Sequence, residues 1–328
     1  MTEVSPGDKV ACIGQGFASH AEIVSIPANL MTRIPQNVSA EQASFGRLGV
    51  IALHGIRCGN LTFGGRVAIM GLGLLGLLTL QMLRAYGCEV IGFDPDSEKV
   101  RLAQILGFEN VVNQVGELSA LVETHTRSSG VDAVLITAAT KKRDPVDHAI
   151  QLCRSRGKIV VVGVADIHPD RNELWQKEVE LVVSRAAGPG SLDPLYEIEG
   201  VDLPIGDVRW TQKRNLEEFL RLQQNGIIDV SPLISHRFSI ESAEEAYHQL
   251  LSGTLKNPIG VLLEYPQPPN ILRQIRIPES SPKPRIQKDS IRTGVIGAGL
   301  FGKALLLPAI QKEKVFSLHT LVTRSGAN

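Results

Sequence analysis

The sequence predicts an α/β protein organised around a doubly wound parallel sheet. Three observations carry this. From about residue 45, short apolar strands alternate with helical segments. The strands are continuous runs of Val, Ile and Leu, the pattern of strands covered on both faces. One strand–helix junction also carries the glycine spacing GLGLLG at residues 71–76.

The elements follow in order. Residues 1–40 read as strands and turns: Lys9–Ile13 and Glu22–Ile26 are apolar runs, punctuated by Pro6, Gly7, Pro27 and Pro35. That is too little chain for a core of its own. Next come a first helix containing IALHGI, a strand at Arg66–Met70, a helix at Leu74–Tyr86 and a strand at Glu89–Phe93. Ser97–Leu106 is an amphipathic helix with Val100, Ala103 and Leu106 on one side. Val131–Ile136, Lys158–Val164 and Glu178–Val183 are further strands, with a helix over Val146–Cys153. Residues 212–226 and 240–252 read as helices and Ile259–Leu263 as a late strand. Six prolines between Pro266 and Pro284, and a surplus of bases over acids in 266–292, mark a stiff solvated linker. A new strand, TGVIGAG, begins at Thr293.

Composition narrows the function. The 328 residues carry 34 Lys+Arg and 34 Asp+Glu, so charge gives no case for nucleic acid or an anionic membrane as partner. The longest apolar stretch, Ala68–Leu83, spans 16 residues and is short for a membrane helix, which needs about 20. The N-terminus shows no signal-peptide pattern, so the chain reads as cytoplasmic. Cys12, Cys58, Cys88 and Cys153 form neither a disulfide framework nor a C-x-x-C pair.

The glycine motif is the main functional signal. Gly71, Gly73 and Gly76 fit G-x-G-x-x-G between a strand and a helix, and the next strand ends at Asp94, 18 residues after Gly76. Gly71 allows the tight turn, Gly73 lets a pyrophosphate approach the backbone, and Gly76 lets the helix pack close to the sheet. The amides around Leu74 and Leu75 then face the diphosphate at a helix N-terminus. Asp94 would accept hydrogen bonds from an adenosine ribose and repel a 2′-phosphate, which favours NAD over NADP. Ligands lie at the carboxyl ends of parallel strands, so Thr137, Ala138, Val162, Gly163 and Val164 are candidates for the ribose and nicotinamide walls, or plain loop residues.

These residues bear a family resemblance. GDKVACIGQGFASHAEIVSIPANLMTRIP (7–35), GLGLLG and Asp94 resemble the medium-chain, zinc-type alcohol dehydrogenases. SRAAGPGSLDP (184–194), PIGDVRWTQKRN (204–215) and GVIGAGLFGKALLLPAI (294–310) resemble bi-domain oxidoreductases that fuse such a half to a Gfo/Idh/MocA-type half. The resemblance implies five segments: the end of a β-rich GroES-like domain (1–44), an NAD-binding Rossmann domain (45–235), a return segment (236–265), the linker (266–292) and the start of a second Rossmann unit (293–328). It also implies that both outer domains continue beyond this chain.

In the second unit Gly297, Gly299 and Gly302 repeat the motif, with Thr323 and Arg324, and no acid, at the second strand's end. The zinc enzymes' later ligand would fall near Gly46, which cannot bind metal, so no zinc site is expected from this chain. The implied activity is NAD-dependent oxidation or reduction of a small molecule, with a sugar or sugar-nucleotide of polysaccharide metabolism as the suggested class. A zinc-independent quinone or enone reductase is an alternative, as is a dinucleotide-binding chain without turnover. A homo-oligomer joined through sheet edges is also in keeping with the resemblance.

No catalytic residue is assigned. His20 and His54 are the available acids, each read more readily as structural. Arg185, Asp193, Tyr196, Arg209 and Trp210 form a polar group that could hold a substrate or close an interface. Cys153 reads as a small apolar residue within a helix.

Overall fold

The computed structural model describes residues 4–140, 144–266, 291–297, 299 and 301–322. Most of the proline-rich segment, together with Thr323 and Arg324, lies outside the described residues. The chain divides into two compact units, 1–269 and 270–328.

The first unit opens with an antiparallel pair, β1 (Val10–Cys12) and β2 (Met31–Arg33). Two helices follow, α1 (Ala40–Ser44) and α2 (Gly46–Cys58). Ser39 starts α1 with a capping box: its hydroxyl accepts the Gln42 amide while the Gln42 side chain accepts the Ser39 amide. The alternating region then runs β3 (Arg66–Met70), α3 (Leu74–Ala85), β4 (Glu89–Phe93), α4 (Ser97–Ile105), β5 (Val111–Val112), α5 (Val115–Thr126), β6 (Val131–Ile136), α6 (Asp144–Leu152), β7 (Cys153–Val161), α7 (Arg171–Lys177) and β8 (Glu180–Val183). The unit closes with α8 (Pro194–Glu197), α9 (Gln212–Gln224), β9 (Ile234–Ser239), α10 (Ala243–Ser252) and β10 (Gly260–Glu264).

Strands β3 to β8 form one six-stranded sheet in the order β5-β4-β3-β6-β7-β8, with every neighbouring pair parallel. This is the predicted doubly wound α/β fold. The strand order reverses between β3 and β6, and at such a switch point a crevice opens outside the carboxyl ends of the strands. Along β3 the side chains alternate faces. Val67 and Ile69 join the core beneath α2, α3 and α9, while Ala68 and Met70 join the core beneath α5 and α6.

Helix α3 is buried along its length from Gly76 to Leu83 because α2 packs against it, with α9 in turn packed on α2. Its two polar interior residues are satisfied. Thr79 donates to the Leu75 carbonyl (2.7 Å), and Gln81 donates to and accepts from the Asp229 backbone (3.1 and 2.8 Å). Helices α2 and α9 come together over Gly49, where a Cβ would sit 2.3 Å from the Phe219 ring.

Several details depart from expectation. Glu22–Ile26 forms no strand: Ile23 is 67% exposed, and β1 pairs instead with Met31–Arg33. Strand β7 ends at Val161, so Val162, Gly163 and Val164 lie past it. Cys153 is buried as expected, but it begins β7 and is not helical, because α6 stops at Leu152. Helix α5 and the two-residue β5 occupy a stretch that showed no strong periodicity. Short helices α7 and α8 start where the Asp170 and Asp193 carboxylates cap their first turns.

In the second unit, β11 (Ile291–Ile296) pairs in parallel with β12 (Phe316–Val322). Between them a π-helical turn at Gly302–Leu306 leads into α11 (Leu307–Lys312). No described helix in either unit is long and apolar enough to cross a membrane.

Phe219 is fully buried between α2 and the sheet's helical cover. Phe219→Ala is expected to cost about 3–5 kcal/mol of stability, read as a lower urea midpoint at unchanged slope.

Candidate functional site

The site grows from the exit of β3. Met70 ends the strand and Gly71 turns the chain at φ +108°, a left-handed conformation open to glycine. A Cβ there would also lie 2.5 Å from the Ala138 backbone nitrogen. The Gly71 amide donates to the Phe93 carbonyl (2.8 Å), which ties the turn to β4. On the other side, the Thr137 and Ala138 amides both donate to the Met70 carbonyl (2.9 and 3.1 Å). The Thr137 hydroxyl donates to the Gly71 carbonyl at 2.6 Å. Helix α3 then starts almost on top of the turn: a Cβ on Gly76 would sit 1.9 Å from the Gly71 carbonyl oxygen.

Asp94 stands at this corner. Its carboxylate accepts the Leu72 amide (2.7 Å) and the Asp96 amide (3.0 Å), and the Lys99 ammonium lies 3.6 Å away. The side chain is 7% exposed. The carboxylate has a structural part beside the expected ribose contact. It faces into the corner and fixes the peptide between Gly71 and Gly73, because the Leu72 amide has nowhere else to bond once the Leu72 side chain is buried against Gly92.

Gly73 differs from its two neighbours. Its backbone, at φ −68° and ψ −170°, suits any residue, and nothing lies within 4 Å of where a Cβ would point. It is the N-cap of α3, yet no side chain caps the helix there. The first-turn amides at Leu74, Leu75 and Gly76, with the positive end of the helix dipole, therefore have no side-chain cap, and the space beside Gly73 is open. Residues from the next strands border the same place. The Val162 and Gly163 amides share the Ile136 carbonyl (2.9 Å each), a Cβ on Gly163 would meet the Ala138 carbonyl at 2.1 Å, and Val164 is 74% exposed. Gly71, Gly73, Leu74, Leu75, Gly76, Asp94, Thr137, Ala138, Val162, Gly163 and Val164 are thus brought around one switch point.

Lys99 and Asp96 were missed in the sequence. Their signal is the Asp-Pro-Asp run ending β4, followed by a lysine in the first turn of α4.

The remaining candidates do not converge on this place. His20 is exposed and hydrogen-bonds the Tyr247 hydroxyl (3.0 Å), in a segment that is not a strand. His54 is half-buried on α2, its Nε2 3.5 Å from the Cys58 sulfur and its ring against Gly188. Burial, with the Arg57 charge adding to it, lowers the His54 pKa below 6.5, and burial raises that of the Cys58 thiol. The pair is a neutral imidazole and a thiol. Asp193 caps α8, Tyr196 is fully buried, Arg185 is exposed, and Arg209 stacks on Trp210.

In the second unit Gly297 turns at φ +90° and donates to the Val322 carbonyl (2.7 Å). A Cβ on Gly302 would stand 3.3 Å from the Gly297 carbonyl, a looser junction than its counterpart in the first unit. Gly299 has open space around its Cβ position.

No group of three or more His, Cys, Asp or Glu side chains that could hold a metal ion is present among the described residues. The donor set that a zinc centre requires does not assemble from them.

Two predictions follow from this geometry. Gly76→Ala forces α3 away from the turn and is expected to cost roughly 1–3 kcal/mol, whereas Gly73→Ala leaves the thermal midpoint nearly unchanged. Because His54 is held neutral in the fold, its contribution to stability is fully present above pH 6.5 and is lost as pH falls through its lowered pKa. Thermal melts from pH 7 to 5 should show this loss, and His54→Gln should flatten it.

Residues 75–197 match the family model of the zinc-binding dehydrogenases. The chain is 29% identical over 244 residues to L-idonate 5-dehydrogenase of Vitis vinifera, covering 72% of this chain and 60% of that enzyme. It is 26% identical over 256 residues to D-guloside 3-dehydrogenase of Shigella flexneri, covering 76% of this chain and 68% of that enzyme. Among solved structures, galactitol-1-phosphate dehydrogenase of Escherichia coli superposes with a TM-score of 0.57 at 23% identity, over 72% of this chain and 63% of that one. The chain thus spans about three-fifths to two-thirds of the length of the curated relatives it matches. Over these residues the chain is similar in sequence to the zinc-binding dehydrogenases, and it shares the fold of the solved structure.

Proposed function

We propose that the first unit is the dinucleotide-binding part of an NAD(H)-dependent oxidoreductase that acts on a hydroxyl or carbonyl of a sugar-like substrate. The observation that carries this reading is the open, uncapped start of α3 at Gly73, in a corner where Gly71 and Gly76 leave no room for any side chain. A bound nicotinamide ring supplies the hydride chemistry. The chain's own residues bind and orient. The amides of Gly73 to Gly76 hold the diphosphate by direct hydrogen bonds and by the helix dipole. Asp94 keeps the loop rigid through Leu72 and brings negative charge to the ribose side, which favours an unphosphorylated ribose. Thr137 locks the Gly71 carbonyl away from the ligand, while Ala138, Gly163 and Val164 form the wall on the nicotinamide side. No catalytic acid is assigned among the described residues, and no step is routed through zinc.

The substrate class rests on the three proteins named above, each of which carries a sugar-derived substrate in its name. Quinone or enone reduction is the second reading; it is in keeping with a site where orientation of the dinucleotide does most of the work. The second unit, with Gly297, Gly299 and Gly302 in a strand–turn–helix setting, is proposed as a second dinucleotide-binding unit of the Gfo/Idh/MocA type.

NADH fluorescence titration tests the core of this proposal. Gly73→Val fills the open space and should weaken NADH at least about tenfold with the thermal midpoint unchanged; equal affinity would contradict the site. Asp94→Asn keeps an acceptor for the Leu72 amide but removes the charge, so the preference for NADH over NADPH should shrink by about tenfold or more. Turnover on sugar acids, polyols and sugar-nucleotides, set against quinones and enones, separates the two enzyme readings.

A further inference from the structure

A second cavity lies at the far end of the same helices. It holds about 480 Å³ between the C-terminal ends of α2 and α3 and one face of α9. That size sits within the range of small-molecule sites, roughly 300–1,000 Å³. Helix α3 runs from the glycine corner at Leu74 to this cavity at Ala85, so the two places are separated by most of its length, about 18 Å.

The floor is apolar, formed by Leu53, Ile56, Met82, Leu222 and Ile227. The wall is cationic in an unusual way. The Arg57 guanidinium lies 3.5 Å from the centroid of the Trp210 ring, and that of Arg209 lies 3.8 Å from the same centroid. Two planar cations that close to one ring centre must occupy opposite faces, since on one face they would overlap. Trp210 is therefore clamped between two guanidinium groups. The nearby carboxylate, Glu218, does not balance them. Arg221 engages both of its oxygens (2.8 Å each). Arg57 donates through Nε to the Asn215 side chain (2.8 Å), and among the described residues its terminal nitrogens have no acceptor. Arg57 and Arg221 thus line the cavity beside Glu218, which Arg221 already engages, and Arg209 lies against the Trp210 ring.

Charge of this kind is costly. Burial brings the Arg57 guanidinium down to about 10; the Glu218 charge opposes this shift and the Arg209 charge adds to it. Cation–π contacts recover part of the cost but give the terminal N–H groups no hydrogen-bond acceptor. A planar carboxylate matches the guanidinium fork, and the apolar floor accepts a hydrocarbon body.

We propose that this cavity is a binding site for a small amphiphilic carboxylate, an apolar or aromatic body bearing one carboxyl group that pairs with Arg57. The site stands on its own residues and does not depend on the dinucleotide reading.

The protein carries its own probe. It has two tryptophans, Trp175 and Trp210. Trp175 is 69% exposed on α7, so Trp175→Phe leaves Trp210 as the single reporter. Phenylacetate and 4-phenylbutyrate, titrated to about 10 mM, should change Trp210 fluorescence saturably, and phenylacetamide should bind at least about tenfold more weakly. Arg57→Gln should abolish the preference for the acid. If that variant proves unstable, Ile227→Glu serves instead: Ile227 is already 39% exposed, and the new carboxylate would act as a tethered occupant. It should block the acids without lowering the thermal midpoint. No saturable response to either acid, equal binding of acid and amide, or unaltered acid binding in the folded variants would overturn the proposal.

Discussion

The contact between the Gly71 carbonyl and the first turn of α3 is the constraint on which the rest depends. With 1.9 Å between that oxygen and an imagined Cβ on Gly76, the helix can start so close to the strand end only because no side chain intervenes. Everything around it reinforces the geometry. Thr137 donates to the same carbonyl, Phe93 accepts the Gly71 amide, and Asp94 holds the Leu72 amide. The ends of β4 and β6 therefore fix the turn that leaves β3 from both sides. The result is a row of amides with no side-chain cap, aimed where the sheet's order reverses. A rigid, pre-organised set of donors binds an anion with little ordering cost, which is why such a corner suits a diphosphate.

Much of this was legible in the sequence. Strands β3, β4 and β6 are continuous apolar runs between glycine or polar turns, and their burial on both faces leaves little ambiguity. The glycine spacing located the corner because it fell between a strand and a helix. Other parts were obscure for physical reasons. Glu22–Ile26 has strand composition but no neighbouring strand among the described residues to pair with, and Ile23 and Val24 stay exposed. Cys153 sits where α6 passes directly into β7, a boundary with no glycine or proline to mark it. The inward turn of Asp94 could not be read from its position, because it follows from the Leu72 amide needing a partner in three dimensions.

The polar segment around residues 184–215 shows how grouping in sequence differs from grouping in space. Asp193 and Tyr196 serve a helix cap and a buried contact, while Trp210 meets Arg57 from α2 to form the wall of a separate cavity, with Arg209 against its ring. The carboxyl side of the sheet carries the glycine corner and the other end of α3 carries a cationic, apolar-floored cavity. One helix thus connects two places of different chemistry.

Backbone-amide NMR of the labelled protein, recorded with and without NAD+, tests the central claim most directly. The account predicts that the largest shifts fall on the amides of Gly73, Leu74, Leu75 and Gly76, with smaller ones at Ala138 and Gly163. Shifts confined to other parts of the chain, or none at saturating dinucleotide, would contradict it.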